Sequence, residues 1–295
     1  MTILVEDLNE LKEIVKKVKK NNQTIGFVPT MGALHAGHEA LISKCANMSD
    51  FKIVSVFVNP TQFGPQEDYS SYPRNIDNDL EICRKYNVDV LFFPSPYDIY
   101  GIKYNNQDLK ISVSSNNITY VCPPYFYVDK LCGKTRIGHF DGVATIVLKL
   151  FNLTKCDYAC FGRKDLQQLK IIEKMVEDFH LEVKIVPVDI VREPDGLALS
   201  SRNSYLSKEG RKKALVLSKI LFDLKKLYQE KNITETIILF EHALSYINKD
   251  QGIELEYLEF YDYTSFEKTD IVREGTVIAI AVKIEGVRLI DNIIL

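Results

Sequence analysis

Short runs of β-branched and aromatic residues alternate with stretches of helical periodicity from Thr24 onward, and this alternation constrains the fold more than any other feature. Strands that are linked through helices pair in parallel, and a parallel sheet needs apolar cover on both faces. The sequence therefore predicts an α/β fold with a doubly wound parallel sheet. The predicted strands are 24–28, 53–58, 88–93, 158–161 and 183–188, and the predicted helices are one after His35 and those at 76–86, 143–153 and 164–179.

A change of pattern near residue 190 divides the chain. Polar residues there surround the turn Pro194-Asp195-Gly196, which is typical of a connection between folding units. We predict one domain at 1–190 and a smaller α+β domain at 191–295. The elements predicted in the smaller domain are helices at 208–228 and 234–248 and strands at 255–261, 277–282 and 287–295.

Composition excludes several classes of function. The 295 residues carry 37 Lys plus Arg against 40 Asp plus Glu, a net charge of −3, so no global basic excess favours nucleic acid or a membrane surface. Residues 1–20 are predicted to form an amphipathic helix rather than a signal peptide, and no apolar stretch approaches the ~20 residues that cross a bilayer. The six cysteines include no Cys-x-x-Cys pair, so we expect reduced thiols and a cytoplasmic protein.

The most informative segment is 29–38, which reads Pro-Thr-Met-Gly-Ala-Leu-His-Ala-Gly-His and lies where the first predicted strand ends and a helix begins. In an open parallel sheet this edge binds ligands, and a helix N-terminus attracts phosphate. His35 and His38 can both donate hydrogen bonds to the charge that develops on phosphorus in nucleotidyl transfer. The alternative is a tight turn followed by two ordinary polar residues at a helix start. A zinc site is less favoured, because no third ligand shares the spacing.

Three further segments place polar or cationic side chains in predicted loops. Residues 161–168, Phe-Gly-Arg-Lys-Asp-Leu-Gln-Gln, again lead from a strand into a helix and offer a lysine for phosphate and an amide for a polar substrate. Residues 196–203 supply two hydroxyls and an arginine that suit a polyphosphate, although this segment alone could be a helix-capping loop. Asn59 and Gln62 follow the strand at 53–58, where neutral amides can orient a hydroxy acid.

Two common phosphate signatures do not occur in the sequence. Gly133-Lys134-Thr135 has the ending of a Walker A loop, but Val128 stands at the position that requires a glycine. The pattern Gly-x-Gly-x-x-Gly is found nowhere in the chain. We therefore predict neither a P-loop nor a dinucleotide-binding fingerprint.

Taken together, the segments resemble those of the pantoate–β-alanine ligase family from Thr24 to about Leu206. The resemblance extends through 69–74, Tyr-Ser-Ser-Tyr-Pro-Arg, and 136–140, Arg-Ile-Gly-His-Phe, where Ile137 replaces the family's usual proline. It implies a Rossmann-like domain of the His-x-Gly-His nucleotidyltransferase superfamily, with the small C-terminal domain acting as a lid. From Lys208 onward the resemblance is thin.

The resemblance also implies a reaction and the residues that perform it. The carboxylate of pantoate attacks the α-phosphorus of ATP to give pantoyl adenylate and pyrophosphate, and the amine of β-alanine then displaces AMP to give pantothenate. The implied catalytic residues are His35, His38, Lys164, Ser200, Ser201 and Arg202. The implied ATP-binding residues are Met31, Gly32, Ala33, Leu34, His35, Ala36, Gly37, His38, Gly162, Arg163, Lys164, Asp165, Val191, Leu199, Ser200, Ser201 and Arg202. The substrate-binding residues are Asn59, Gln62 and Gln168.

The implied metal and assembly complete the prediction. Mg²⁺ is expected mainly on the ATP phosphates and water, with no dedicated metal site built by the protein. The family resemblance implies a homodimer formed through the larger domain. We expect no nucleic-acid and no membrane partner.

Other functions are compatible with single motifs. A different nucleotidyltransferase, acting on phosphopantetheine or nicotinamide mononucleotide, would also use His-x-Gly-His, but a phosphorylated substrate would favour basic residues where Gln62 and Gln168 stand. A fragment of a tRNA synthetase is disfavoured by the lack of a basic excess. A regulator that only binds nucleotide would be expected to lack some of the residues that contact phosphate. All six that are predicted here are present: His35, His38, Lys164, Ser200, Ser201 and Arg202.

Overall fold

Six strands form the larger sheet of the computed structural model, which describes residues 1–64, 67–101, 118–247 and 252–295. They are β1 (Ile3–Val5), β2 (Ile25–Thr30), β3 (Phe51–Val56), β4 (Val90–Phe92), β5 (Tyr158–Gly162) and β6 (Lys184–Val188). Their order is β1-β4-β3-β2-β5-β6, and every neighbouring pair is parallel. Because β3 lies on one side of β2 and β5 on the other, the winding changes direction at β2. The predicted doubly wound α/β fold is confirmed.

Helices cover both faces of this sheet, because successive side chains of a strand point to opposite sides. The helices of the segment that carries the sheet are α1 (Leu8–Lys20), α2 (Ala36–Ala46), α3 (Ile76–Lys85), α4 (Pro96–Tyr100), α5 (Tyr125–Val128), α6 (Leu131–Thr135), α7 (His139–Thr154) and α8 (Leu166–Asp178). Phe27 of β2 meets Phe151 of α7 edge to face, with ring centroids 6.4 Å apart. The next residue, Val28, lies in a core cluster with Ile42 and Cys45 of α2. Residues 27 and 28 thus serve two different layers.

The amino-terminal segment differs from its prediction as a single helix over 1–20. Ile3–Val5 forms β1, which pairs with Val90–Phe92 at the edge of the sheet. The helix begins only at Leu8, because the Asp7 carboxylate accepts the N–H groups of Asn9 and Glu10, both at 2.8 Å. An apolar tripeptide next to an open strand edge gains more from a parallel ladder than from an extra helical turn.

Other element bounds lie close to the predictions. The helix predicted from residue 143 begins at His139, directly after Gly138, whose φ is 77°. The helix predicted from residue 164 begins at Leu166 and is preceded by a 3₁₀ turn over Arg163–Asp165. The end of the helix predicted at 234–248 is Ile247, and residue 248 lies outside the described residues.

By contacts between residues, the chain divides into two compact units, one of residues 1–163 and 167–189 and the other of residues 164–166 and 190–295. The second contains α9 (Lys208–Lys231), α10 (Thr236–Ile247), β7 (Ile253–Asp262), β8 (Thr276–Ile284) and β9 (Val287–Ile294). The three strands form an antiparallel sheet in the order β7-β8-β9. Leu221 and Leu224 of α9 are fully buried in one cluster with Ile280 of β8. The α+β class predicted for the carboxyl-terminal region is confirmed.

Cysteines and helix lengths add two observations. No disulfide joins the six cysteines, all of which lie in the described residues, and five of them are buried. Buried thiols pack as small apolar side chains. In the described part of the chain, no helix has the length and apolar character that crossing a membrane requires.

A buried ion pair ties the start of the second unit to its last strand. Arg192 donates from Nη1 and Nη2 to the two carboxylate oxygens of Asp291 at 2.6 and 2.9 Å. The same guanidinium donates to the carbonyl oxygens of Gly196 and Asn292. Burial raises the pKa of Asp291, against the opposing effect of Arg192. The carboxylate therefore depends on its arginine to remain charged inside the fold.

Replacing the arginine should expose this dependence. We expect Arg192→Met to lower the free energy of unfolding by about 3–5 kcal/mol, because it leaves the buried Asp291 without its hydrogen-bonded cation. The double variant Arg192→Met with Asp291→Asn should be more stable than the single variant, because the buried charge is then removed. Urea unfolding followed by circular dichroism measures both, and a loss below about 1 kcal/mol in the single variant would contradict the assignment.

Candidate active site

Three of the predicted segments meet at one edge of the parallel sheet. Residues 31–38 follow β2, residues 59–62 follow β3, and Arg163 follows β5. These strands are neighbours in the order β3-β2-β5, and β2 is the strand at which the winding reverses. Ligands of doubly wound folds bind beyond the carboxyl ends of the strands at such a reversal. The fold therefore places these segments at the expected binding edge.

The turn after β2 has an unusual backbone. Gly32 and Ala33 are consecutive residues with φ of +86° and +51°. A Cβ atom on Gly32 would lie 2.8 Å from Val56 Cγ1, so both the conformation and the space require glycine. The N–H of Gly32 donates to Thr30 Oγ1 at 3.1 Å. The N–H groups of Ala33 and Leu34 both donate to the carboxylate of Asp79, at 3.1 and 2.7 Å.

The two histidines cap helix α2 with one edge of each ring. His35 is the N-cap residue, and its Nδ1 accepts the N–H of Gly37 at 3.1 Å. His38 Nδ1 accepts the N–H of His35 at 3.3 Å. Because both Nδ1 atoms are acceptors, each neutral ring carries its proton on Nε2. The ring centroids are 4.2 Å apart, so the two rings, each with an Nε2–H donor, lie next to each other at a helix N-terminus. The capping alternative and the phosphate-binding hypothesis thus use different edges of the same rings.

A buried amide network fixes the side chain of Gln62. Asn59 is fully buried, and its Oδ1 accepts hydrogen bonds from Thr61 Oγ1 at 2.9 Å and from Tyr100 Oη at 2.8 Å. Burial raises the pKa of the Tyr100 hydroxyl, which keeps this donor protonated. The Nδ2 of Asn59 must then be the donor, to the carbonyl oxygen of Gly142 at 3.1 Å and to Gln62 Oε1 at 2.9 Å. With Oε1 engaged, Gln62 presents its Nε2 as a hydrogen-bond donor.

The backbone of Gln62 is held by a second network. His139 Nδ1 lies 2.7 Å from the Gln62 carbonyl oxygen, and Arg136 Nη2 donates to the same oxygen at 3.3 Å. Arg136 Nη1 lies 2.8 Å from His139 Nε2, which makes Nε2 the acceptor and Nδ1 the protonated atom. Glu67 accepts two hydrogen bonds from Arg136, at 2.7 and 2.8 Å. Gln62 is therefore fixed at both its side chain and its backbone.

The polar side chains of the segment after β5 differ in their partners and in their burial. Arg163 Nη1 donates to Asp189 Oδ1 at 2.7 Å, so this predicted nucleotide ligand carries an internal counterion. Gln167 is buried, and its Nε2 donates to the carbonyl oxygens of Tyr127 and Lys130 at 2.8 and 2.7 Å. The neighbouring Gln168, the predicted substrate ligand, is half-buried. The structure thus distinguishes a structural glutamine from the candidate ligand beside it.

Gly162 is the last residue of β5, and seven other predicted residues belong to the second unit. Lys164 is half-buried and its carbonyl oxygen accepts Asn292 Nδ2 at 3.0 Å, whereas Asp165 is exposed. Leu199 N–H donates to the Val191 carbonyl oxygen at 3.0 Å across the bridge between Arg192 and Ala198. Ser200 Oγ accepts the N–H of Arg202 at 3.3 Å and caps a 3₁₀ helix over Ser201–Tyr205. The helix-capping role considered for this loop is therefore real for Ser200.

A cavity of about 500 Å³ lies beside the turn after β2. Met31 and Gly32 are the predicted residues that line it, together with Val58, Arg74 and Asp79 among others. Across the described ranges, no three or more His, Cys, Asp and Glu side chains converge where a metal ion could bind.

Sequence reasoning missed the residues that hold the predicted ligands in place. Arg136 and His139 stood out only as part of the resemblance, and Asp79 and Glu67 were not singled out at all. Asp79 lies on an amphipathic helix at a position that periodicity assigns to the protein interior, and a buried acid at such a position is the available signal. No local pattern links Glu67 to Arg136, because their contact spans 69 residues of sequence.

Acid should weaken the network around Glu67. Burial alone raises the pKa of Glu67, but the hydrogen bonds and charge of Arg136 outweigh it and bring the pKa from 4.5 to about 2. Since the folded-state pKa is lowered, the stabilisation is complete above pH 4.5 and is lost as the pH falls toward 2. We expect Glu67→Gln to remove about 1–3 kcal/mol at pH 7 and to flatten this acid dependence. Urea unfolding at several pH values measures it, and parallel curves for the variant and the wild type would refute the assignment.

Comparison with known proteins identifies the family. The model of the family described as Pantoate-beta-alanine ligase matches residues 3–294. The pantothenate synthetase of Caldicellulosiruptor saccharolyticus is 47% identical over 294 residues, which cover 99% of each chain. The pantothenate synthetase of Coprothermobacter proteolyticus is 42% identical over 99% of this chain and 98% of its own.

Solved structures agree with the sequence matches. The crystal structure of pantothenate synthetase from Thermus thermophilus matches with a TM-score of 0.88 at 35% identity and covers 98% of each chain. That of pantoate-β-alanine ligase from Francisella tularensis, complexed with Beta-gamma ATP and β-alanine, matches with a TM-score of 0.78 at 34% identity over 100% of this chain and 98% of that one. Both the sequence and the fold therefore show that this chain belongs to the pantoate–β-alanine ligase family.

Proposed function

We propose that this ligase joins pantoate to β-alanine in two steps through pantoyl adenylate. In the first step a carboxylate oxygen of pantoate attacks the α-phosphorus of ATP, and the bond from that phosphorus to the β-phosphate bridging oxygen breaks to release pyrophosphate. In the second step the neutral amine of β-alanine attacks the acyl carbon, the acyl–oxygen bond breaks to release AMP, and the nitrogen loses one proton to give the amide. Family membership supports the overall reaction. The paired Nε2–H donors of His35 and His38 at the sheet edge carry the proposal for the first step.

The first step needs charge stabilisation and alignment rather than a protein nucleophile. Negative charge grows on the non-bridging oxygens of the α-phosphate as the phosphorus becomes five-coordinate. His35 and His38 donate from Nε2 toward this charge, and the N-terminus of α2 adds its dipole. We assign the main donor role to His38. Residues 31–37 surround the nucleotide through the backbone of the turn and the first helical turn.

Pantoate is assigned to the amides of Gln62 and Gln168. Because Gln62 Oε1 accepts from Asn59, the group it offers to a substrate is an N–H donor, which suits a carboxylate or hydroxyl oxygen. A neutral donor binds the carboxylate without neutralising it, so the oxygen keeps its nucleophilicity toward phosphorus. Asn59 is assigned an orienting role, since its own polar atoms are engaged with Gln62, Gly142, Thr61 and Tyr100.

Lysine, serine and arginine side chains are proposed to bind the polyphosphate. Lys164, Ser200, Ser201 and Arg202 are assigned to the phosphates. Gly162, Arg163, Asp165, Val191 and Leu199 are assigned to the rest of the nucleotide. Charged and hydroxyl donors are the groups that recognise phosphate oxygens. The family resemblance supports each of these assignments, and the Francisella ligase, whose structure is a complex with Beta-gamma ATP and β-alanine, supports a nucleotide site in this fold.

Mg²⁺ is proposed to enter with ATP and to be held by phosphate and water oxygens, a mode that suits an ion that loses its water reluctantly. When bound, it offsets the negative charge of the phosphates. We also propose a homodimer and a cytoplasmic location. The family resemblance supports the first, and the absence of disulfides among the six cysteines favours the second.

Exchange of pyrophosphate into ATP isolates the first step. We expect exchange with Mg²⁺ and pantoate before any β-alanine is added, and a fall of more than tenfold, or at least ~1.4 kcal/mol of barrier, in His38→Ala and in Lys164→Ala. The exposed Lys16→Ala is the matched lysine control and should behave as the wild type. Thermal unfolding shows whether each variant is folded.

The outcomes separate the competing functions. Exchange that needs a phosphorylated acceptor instead of pantoate would favour another nucleotidyltransferase. ATP binding without any exchange would favour a nucleotide-binding regulator. Exchange within about tenfold of wild type in folded His38→Ala and Lys164→Ala would contradict the residue assignments.

A charge change at Gln62 tests the pantoate assignment. We expect Gln62→Glu to raise the KM for pantoate by more than about 30-fold, or ~2 kcal/mol, because a carboxylate would replace the donor amide and repel the substrate. The KM for ATP should stay within about threefold. Gln229→Glu, the same change at an exposed position of α9, is the control. Equal changes in both KM values for Gln62→Glu would argue against a specific pantoate contact.

A further inference from the structure

Asp79 is a buried acid that the proposed chemistry does not use. It lies in the first turn of α3, and its exposed fraction is 0%. Its carboxylate accepts hydrogen bonds from two N–H groups of the turn after β2, which lie 45 and 46 residues away in the sequence. Each oxygen has one such partner: Oδ1 accepts Leu34 N–H at 2.7 Å, and Oδ2 accepts Ala33 N–H at 3.1 Å.

The turn held by Asp79 would not adopt its conformation without help. Two consecutive residues have positive φ, and the second, Ala33, is not glycine. A non-glycine residue in this region is strained, because its Cβ atom lies too close to the backbone carbonyl oxygen. Successive N–H groups in such a turn point to one side and form a concave site for an anion. Here the Asp79 carboxylate occupies that site from within the protein.

Keeping Asp79 charged inside the protein costs free energy, which a neutral side chain in a purely structural contact would avoid. In the described part of the chain, no lysine, arginine or histidine forms an ion pair with it. Burial raises the pKa of Asp79, and only the N–H groups of Leu34 and Ala33 and the side chain of Asn78 oppose this. A neutral asparagine could accept one of the two N–H groups without a buried charge. The carboxylate is the side chain of this length that accepts both.

The turn leads directly to the catalytic pair. Leu34 is buried, and the next residue is His35, the N-cap of α2. The N–H of His35 in turn donates to His38 Nδ1, so the backbone after Leu34 sets the orientation of both rings. We propose that Asp79 is a positioning residue for adenylation, which fixes the backbone of residues 32–34 and thereby aims the Nε2–H donors of His35 and His38. The proposal rests on the function proposed above and assigns Asp79 no contact with substrate, although Asp79 is one of the residues that line the cavity beside the turn.

Separate assays of the two half-reactions test the role. We expect Asp79→Asn to slow pantoate-dependent pyrophosphate exchange 10–100-fold, about 1.4–2.7 kcal/mol of barrier, because one of the two N–H groups would face an amide N–H₂ group. Aminolysis of supplied pantoyl adenylate by β-alanine should stay within about threefold. A general loss of structure would slow both. Asp77→Asn makes the same change at an exposed position of the same helical turn and should alter neither rate.

A double variant tests whether Asp79 acts through the histidines. If it does, Asp79→Asn should cost less than about threefold in a His38→Ala background, because the main donor that it aims is already gone and only His35 remains. Multiplicative losses would overturn the proposal, as would equal losses in both half-reactions or an unchanged exchange rate in Asp79→Asn. A wild-type enzyme without pantoate-dependent exchange would instead refute the proposed function.

Hydrogen exchange of the wild-type enzyme gives an answer even if Asp79→Asn fails to fold. The amides of Ala33 and Leu34 should be protected in the absence of ATP, because the carboxylate already holds them. Exchange of these two amides at the rate of an unstructured loop would overturn the proposal.

Discussion

Side chains, rather than backbone carbonyl groups, accept hydrogen bonds from four consecutive backbone N–H groups, those of residues 32 to 35. Thr30 accepts the first, Asp79 the next two, and His38 the fourth. A backbone group that is withdrawn from water without a partner costs about 1–3 kcal/mol, so these contacts are strongly constrained. Because His38 is one of the acceptors, satisfying the backbone also orients a ring that we propose to be catalytic. The helix start and the proposed phosphate site are therefore parts of one structure.

The same physical rule governs the neighbouring strand end. Gln62 is held by Asn59 at its side chain and by Arg136 and His139 at its backbone carbonyl. Asn59 Oδ1 accepts hydrogen bonds, so Asn59 Nδ2 must donate to Gln62 Oε1. The orientation of the Gln62 amide therefore follows from the contacts around it. A ligase that proceeds through an adenylate supplies no nucleophile of its own and depends on donors that are already in place. Buried hydrogen bonds provide that preorganisation at both strand ends.

The fold class and the location of the candidate site were predictable because their signals are local. Alternating strand and helix periodicity identified the parallel sheet, and motifs at strand ends identified the edge where ligands bind. Two of the differences between prediction and structure arise from nonlocal contacts. Residues 3–5 form a strand because β4 offers an open edge 87 residues later, and helical periodicity carries no information about such a partner. Gln167 and Gln168 are adjacent and chemically identical, and only hydrogen bonds to the segment 127–133, where α5 ends and α6 begins, distinguish the structural residue from the candidate ligand.

The sequence by itself determined the chemistry available to this protein: two histidines beside glycines at a strand end, amides after the next strand, and a lysine and a serine–arginine loop suited to phosphate. These properties depend on residue type and short spacing, which the chain displays directly. Tertiary structure decided which edge of each ring or amide is the donor, and which buried acid holds the turn. Those outcomes depend on hydrogen bonds between residues such as Asp79 and Leu34, or Arg136 and Glu67, that are distant in sequence. Only the folded chain brings such groups within bonding distance, and burial then makes their hydrogen bonds obligatory.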